Sequence, residues 1–164
     1  MPVLLKGSCH CGLVRFTMES KTPVPYQLCA CSICRKVGGV GGSINLGADN
    51  SGLKIIQGKE HIKVYQAVLD RDTPDQKHAS SERSFCGNCS SMLWLWDHRW
   101  PELIHPFASA IDEPELKLPE EMYCIMQSSK PSYVRWPEGK KQVFDTYGEE
   151  SIEDWHKKNG EFVE

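Results

Sequence analysis

Apolar positions along the chain recur in short runs of two-residue period, interrupted by glycine, proline or asparagine. Leu13-Val14-Arg15-Phe16-Thr17 alternates apolar and polar after a Cys-Gly turn, as does Ser43-Ile44-Asn45-Leu46. Ile62-Lys63-Val64-Tyr65 is β-branched and aromatic, and Met92-Leu93-Trp94-Leu95-Trp96 is a nearly continuous apolar run. Leu103-Ile104-His105-Pro106-Phe107 and Tyr123-Cys124-Ile125-Met126 complete the series. Successive strand side chains point to opposite faces, so this period predicts half-buried strands. Helical spacing is scarce. Ser32-Ile33-Cys34-Arg35-Lys36-Val37 before Gly38-Gly39 predicts one or two turns with a glycine stop. Ser151-Ile152-Glu153-Asp154 resembles a capping box, with Trp155 to anchor a helix and Gly160 to end it. The polar stretch Asp70 to Ser81, which contains Pro74, reads as a mobile surface loop. The expected fold is mostly β: one domain of short antiparallel strands with a short C-terminal helix.

Composition narrows the setting. The 164 residues fit one domain and can bury a core. A net charge of −3 supplies no positive field for nucleic acid or an anionic membrane. Met1 to Lys6 reaches a Gly-Ser turn too early for a signal-peptide core, and no apolar run has the length of a membrane span. The expected location is the cytosol or the nucleus.

The chemistry lies in eight cysteines: 9, 11, 29, 31, 34, 86, 89 and 124. In a reducing compartment such clustering indicates metal or catalysis rather than disulfides. Cys9-x-Cys11 is placed at the start of a strand, where residues i and i+2 share a face and two thiolates can grip one ion. Cys86-Gly87-Asn88-Cys89 is a C-x-x-C turn whose middle residues tolerate left-handed conformations. These pairs together supply four thiolates, the closed arrangement of a structural zinc. Cys29, Cys31 and Cys34 form a C-x-C-x-x-C run that leaves a fourth tetrahedral position open. Three thiolates around a divalent ion leave a net negative charge, so the ion is a poor Lewis acid but a good host for a fourth sulfur. That chemistry points to a thiol substrate. Spacing alone also permits Cys86 and Cys89 to pair with two of the cysteines between 29 and 34.

Three segments carry a resemblance. Gly7-Ser8-Cys9-His10-Cys11-Gly12-Leu13-Val14-Arg15-Phe16, then Cys29-x-Cys31-x-x-Cys34-Arg35-Lys36, then Arg83-x-Phe85-Cys86-x-x-Cys89 resemble the glutathione-dependent formaldehyde-activating enzyme family. Its domain also occurs in centromere protein V. The resemblance runs from about residue 4 to residue 136. It implies a zinc-stabilised fold shared with methionine sulfoxide reductase B. It implies two zinc ions: a structural one on Cys9, Cys11, Cys86 and Cys89, and a more labile catalytic one on Cys29, Cys31 and Cys34. It implies a carbon–sulfur lyase-type activity, the condensation of glutathione with formaldehyde to S-hydroxymethylglutathione or its reverse. The partner implied is a small thiol, glutathione or an adduct of it. Residues 1–136 would be the enzyme domain and 137–164 an extension with a short helix packed on it. The chain departs from the family at Ser90, where glycine is usual, and at Cys124, where histidine is common.

Other residues divide between function and packing. Arg35, Lys36 and Arg83 flank the cysteine motifs and would bind a substrate carboxylate or simply be solvated charge. His10 lies between two proposed ligands and points away on a strand. His98 and His105 read as surface or core residues, Cys124 as a buried hydrophobe, and Trp94, Trp96, Trp136 and Trp155 as packing. The Gly38-Gly39-Val40-Gly41-Gly42 run reads as a turn that brings backbone close to the open site. A redox reductase with Cys124 as nucleophile and a zinc-stabilised protein-interaction module are the alternatives.

Overall fold

The computed structural model describes residues 1–164. The strands in chain order are β1 (Val3–Ser8), β2 (Arg15–Ser20), β3 (Gln27–Cys29), β4 (Ser43–Ile44), β5 (Ala48–Asp49), β6 (Lys54–Gln57) and β7 (Ile62–Leu69). They continue as β8 (Lys77–Cys86), β9 (Met92–Asp97), β10 (Leu103–Pro106), β11 (Ile111–Glu113), β12 (Met122–Ile125) and β13 (Lys141–Val143). Helix α1 (Ser32–Gly38) follows β3, and α2 (Ile152–Lys158) lies near the C-terminus. No helix is long and apolar enough to cross a membrane.

Three sheets result. The first has the order β11-β1-β2-β6 and the second β5-β10-β9-β8-β7; both are antiparallel throughout. They share the main core. Phe16 meets Trp94 edge to face at 5.0 Å, among buried Val14, Met18, Leu93, Ile104 and Phe107. The third sheet, β13-β12-β3-β4, departs from the antiparallel expectation, because β12 pairs in parallel with both β3 and β13. These three strands are far apart in sequence, so no tight hairpin forces them antiparallel.

The C-terminal segment is locked to this third sheet. Ser151 caps α2 by accepting the Asp154 amide at 3.0 Å. Trp155 then stacks on Tyr26 with centroids 3.8 Å apart and planes 5° apart. Burying an aromatic side chain of this size stabilises by about 2–3 kcal/mol. His156 is fully buried and its Nε2 accepts the Val24 amide at 3.0 Å, which leaves Nδ1 to donate to the Ile152 carbonyl at 2.7 Å. Burial holds this imidazole below its ordinary pKa, consistent with a neutral ring that both donates and accepts.

Two local expectations are corrected. Cys9 and Cys11 do not start a strand; they lie in the turn between β1 and β2, where Gly12 donates to the Cys9 carbonyl at 2.9 Å with a φ of 76°. The loop expected from Asp70 to Ser81 is shorter, because Lys77 to Ser81 belong to β8. This end of the β7–β8 hairpin is exposed, so backbone pairing (Leu69 with Lys77, Val68 with His78) forms it without an apolar pattern.

Candidate metal centres

The first cysteine cluster joins two turns. Cys9 and Cys11 come from the β1–β2 turn, Cys86 from the end of β8 and Cys89 from the turn that leads into β9. Their four sulfurs all lie within 4.8 Å of one another. The Sγ atoms of Cys9 and Cys11 are 3.5 Å apart and those of Cys11 and Cys86 are 3.9 Å apart. Those separations are too long for disulfides. They suit a tetrahedral zinc, whose sulfur ligands stand about 3.8 Å apart for bonds of about 2.3 Å. The surroundings favour thiolates. The Val14 amide donates to Cys9 Sγ at 3.2 Å, and Cys89 Sγ lies 3.2 Å from Ser91 Oγ. The Ser91 hydroxyl, then the Cys11 amide, hold Cys89 at about 5. The Leu13 amide, then the Asn88 side chain, lower Cys11, whereas burial pushes Cys86 up to about 11. The spared Cys86 proton is one a cation would displace.

The second cluster is local. Cys29 ends β3, Cys31 is the N-cap of α1 and Cys34 lies in its first turn, with the three sulfurs within 4.8 Å of one another. The capping bond is unusual in its acceptor: Cys31 Sγ takes the Cys34 amide at 3.3 Å. Gly42 presses against this corner. Its φ is 120°, and a Cβ there would fall 2.0 Å from the Cys29 carbonyl oxygen, so only glycine lets the backbone come this close. Three sulfurs this near one another cannot all be thiolates without a cation. Hydrogen bonds from Cys29 and then Cys34 hold Cys31 down at about 2. The same sharing with Cys31, then with Cys34, pushes Cys29 far above the ordinary thiol range. Cys34 is drawn down by Cys29, but Cys31 and burial outweigh that and raise it. One thiolate served by two thiols is a donor set that suits a soft divalent ion.

The flanking residues separate. Arg35 is a strap: its Nε donates to the Ala30 carbonyl at 2.9 Å and its Nη2 to the Ser129 carbonyl at 3.0 Å. Lys36 is exposed and forms no ion pair. Arg83, in the middle of β8, is only 6% exposed. Cys124 is fully buried in β12 and belongs to neither cluster. His10 is exposed and uses its amide to bond Ser91 Oγ. A polar cavity of about 510 Å³ lies between the first cluster and α1, lined by His10, Ser90 and Ser91 on one side and Val37 and Gly38 on the other. Sequence reasoning gave no role to Tyr147, which lies beyond β13. Desolvation of its phenol, then the charges of Cys29, Cys31 and Cys34, raise its pKa, while Arg83 lowers it. No motif surrounds Tyr147, so nothing local in the sequence signals its place beside the second cluster.

Known proteins resemble the chain in sequence and in fold. The profile of the glutathione-dependent formaldehyde-activating enzyme family matches residues 4–128. A protein of Halomonas elongata, named provisionally as a glutathione-dependent formaldehyde-activating enzyme, is 47% identical over 161 residues, covering 96% of this chain and 98% of its own. The crystal structure of a Rhodobacter sphaeroides protein aligns with a TM-score of 0.52 at 25% identity, over 67% of this chain and 90% of that one.

Proposed function

The chain belongs to the glutathione-dependent formaldehyde-activating enzyme family, and from that premise we propose that it is a zinc-dependent enzyme making or breaking a carbon–sulfur bond of a glutathione adduct. The carrying observation is the division of seven cysteines into a closed set of four and an open set of three. Cys9, Cys11, Cys86 and Cys89 hold a structural zinc, and Cys29, Cys31 and Cys34 hold a catalytic one that exchanges more easily. Zinc held by the three cysteines would supply a soft cation that lowers the pKa of a thiol substrate while leaving much of its nucleophilicity. The enzyme domain spans residues 1–136 in a fold like that of methionine sulfoxide reductase B, and residues 137–164 are an extension of it. A reducing compartment such as the cytosol keeps the seven sulfurs available.

The protein's own residues set the reaction geometry. The β3–α1 corner, fixed by Gly42 and by the Cys34 amide, aims three sulfurs at one point. A glutathione thiolate brought there attacks the formaldehyde carbon. The new C–S bond takes the sulfur lone pair, the C=O π electrons move to oxygen, and that oxygen takes the proton the thiol released. No electrons are exchanged with an outside donor, which separates this chemistry from that of a redox reductase. Burial of Cys124 away from both clusters also counts against a second, redox nucleophile.

Cys31→Ser tests the reading. Zinc content, far-ultraviolet circular dichroism and the rate of hemithioacetal formation by exchange NMR are measured on wild type and variant. The expected variant stays folded, holds one zinc in place of two and does not raise the rate above that of the uncatalysed addition. A variant that loses its fold with all its metal refutes the division of labour. Wild type holding both zincs but leaving the uncatalysed rate unchanged points to a zinc-stabilised protein-interaction module.

A further inference from the structure

The Ser43 hydroxyl is buried without a hydrogen-bond partner. Ser43 lies in the two-residue strand β4 and is 7% exposed, and nothing accepts from or donates to its Oγ. A buried hydroxyl in this state costs free energy, because it has given up its bonds to water. Two other buried polar atoms share the condition, in different settings. Arg83 lacks a partner at Nε alone and keeps a bond from Nη1 to Ser81 Oγ at 3.3 Å. Asn45 bridges to Phe107, past the end of the β3–β4 pairing.

The place of Ser43 in the fold tells what its hydroxyl serves. Ser43 is the register partner of Cys29 in the antiparallel β3–β4 pair. Directly opposed residues of such a pair point to one face, with Cβ atoms about 4.5–5.5 Å apart. Ser43 and Cys29 therefore turn the same way. Helix α1 covers Ser43 on that face: a Cβ built on Gly38 would stand 2.9 Å from the Ser43 Cβ. Gly38 is four residues beyond Cys34, and residues at that spacing are neighbours on one side of a helix. Ser43 thus sits in the angle between the strand that carries Cys29 and the helix face that carries Cys34. Cys34 is itself only 5% exposed, so water has little access to this corner. Cys31 Sγ already takes the Cys34 amide at 3.3 Å, and the two remaining sulfurs flank the hydroxyl.

We propose that Ser43 is a positioning residue of the open cluster, its hydroxyl donating to the thiolate pair of Cys29 and Cys34 when the cluster holds its metal. Three thiolates bring more negative charge than a divalent ion cancels, and a hydrogen bond to thiolate takes up part of the excess. The closed cluster has a counterpart in Ser91, whose Oγ lies 3.2 Å from Cys89 Sγ. The role rests on reading Cys29, Cys31 and Cys34 as a metal site.

Cobalt(II) exchanged into the open cluster, with zinc left in the closed one, tests it through the sulfur-to-cobalt charge-transfer band. Chelator competition gives the affinity. Ser43→Ala shifts the band to longer wavelength, because a thiolate without its hydrogen bond gives up an electron more easily. It also weakens metal binding at the open cluster about 10- to 100-fold and leaves the closed cluster unchanged. Ser43→Thr, which keeps the hydroxyl, keeps both band and affinity. With the open cluster stripped, Ser43→Ala melts no lower than wild type, since the hydroxyl it loses had no partner. An unmoved band overturns the donor role alone, as does a Ser43→Ala that lowers the melting midpoint equally with and without metal. A crystal structure of the zinc-loaded wild type does the same without any variant if Ser43 Oγ lies beyond hydrogen-bond distance of both sulfurs. Wild type that takes up no cobalt at the open cluster overturns the metal reading of that cluster, and the donor with it.

Discussion

The two cysteine clusters use the same atoms for different ends, and their positions along the chain account for the difference. In the four-cysteine cluster Cys11 and Cys86 meet across 75 residues, joining the first hairpin to the end of β8. In the three-cysteine cluster all donors fall between Cys29 and Cys34, at one strand–helix corner. In the chain-entropy view, tying a loop of the first size is worth about 4.5 kcal/mol and tying a loop of a few residues about 2 kcal/mol. A metal on the first cluster fastens distant elements of the core, which also contains Cys9 and Cys86. A metal on the second closes almost no chain, so its binding can follow the needs of a ligand. Evolution of chemistry is least constrained where the fold depends least on the site.

The largest effect that would break this comparison comes from Cys86→Ser. Removing it takes one of the four sulfurs from the centre that ties the long loop, so that the loop opens with loss of the metal, and it places a hydroxyl in a fully buried position. The expected loss is about 4 kcal/mol or more, a fall of roughly 10–15 °C in thermal midpoint for a chain of this length. Cys31→Ser should cost less than half as much. Thermal unfolding of the two variants, each with its zinc content, checks the ranking. Equal destabilisation would mean that both clusters support the fold alike.

Gly42→Ala should act on one cluster only. Its φ of 120° is unfavourable for an L side chain, and the new Cβ would strike the Cys29 carbonyl. A cost of about 2–4 kcal/mol follows from strain of this kind. The shift passes into β3 and Cys29, so the open cluster should lose metal affinity while the closed one keeps its zinc. Competition with a chromophoric chelator reads both affinities. Loss from the closed cluster would show that strain travels between them.

How much of this was legible in the sequence follows the same divide between local and distant. The clusters could be read because C-x-C and C-x-x-C spacing is a local property, and so could α2, since Ser151, Trp155 and Gly160 lie within one helix. Cys9 and Cys11 read as the start of a strand because the alternation that marks β2 begins at Leu13, whereas Gly12 makes a turn there. The first residues of β8 read as loop in the sequence because an exposed ladder held by backbone bonds leaves no apolar pattern. Arg83, Arg35 and Lys36 looked alike, since burial of one and strapping of another depend on sheets assembled from remote segments. Tyr147 had no signal at all: the parallel pairing of β12 with β3 and β13 alone brings it beside Cys29.

The smallest effect sharpens the comparison most. Ser90 follows the closed cluster with a φ of 67°, while its amide bonds the Cys86 carbonyl at 2.8 Å. A left-handed conformation costs a non-glycine residue about 1 kcal/mol or more. Glycine removes that strain but loses about half the gain through its greater freedom when unfolded. Ser90→Gly should therefore stabilise by about 0.5 kcal/mol, raising the thermal midpoint by roughly 1–2 °C. Glutathione affinity should not move. Ser90 lines the cavity whose far wall is Val37 and Gly38, at the end of the helix that Cys31 and Cys34 begin. A change in glutathione affinity on Ser90→Gly would mean that the two clusters communicate across this cavity and are not independent units.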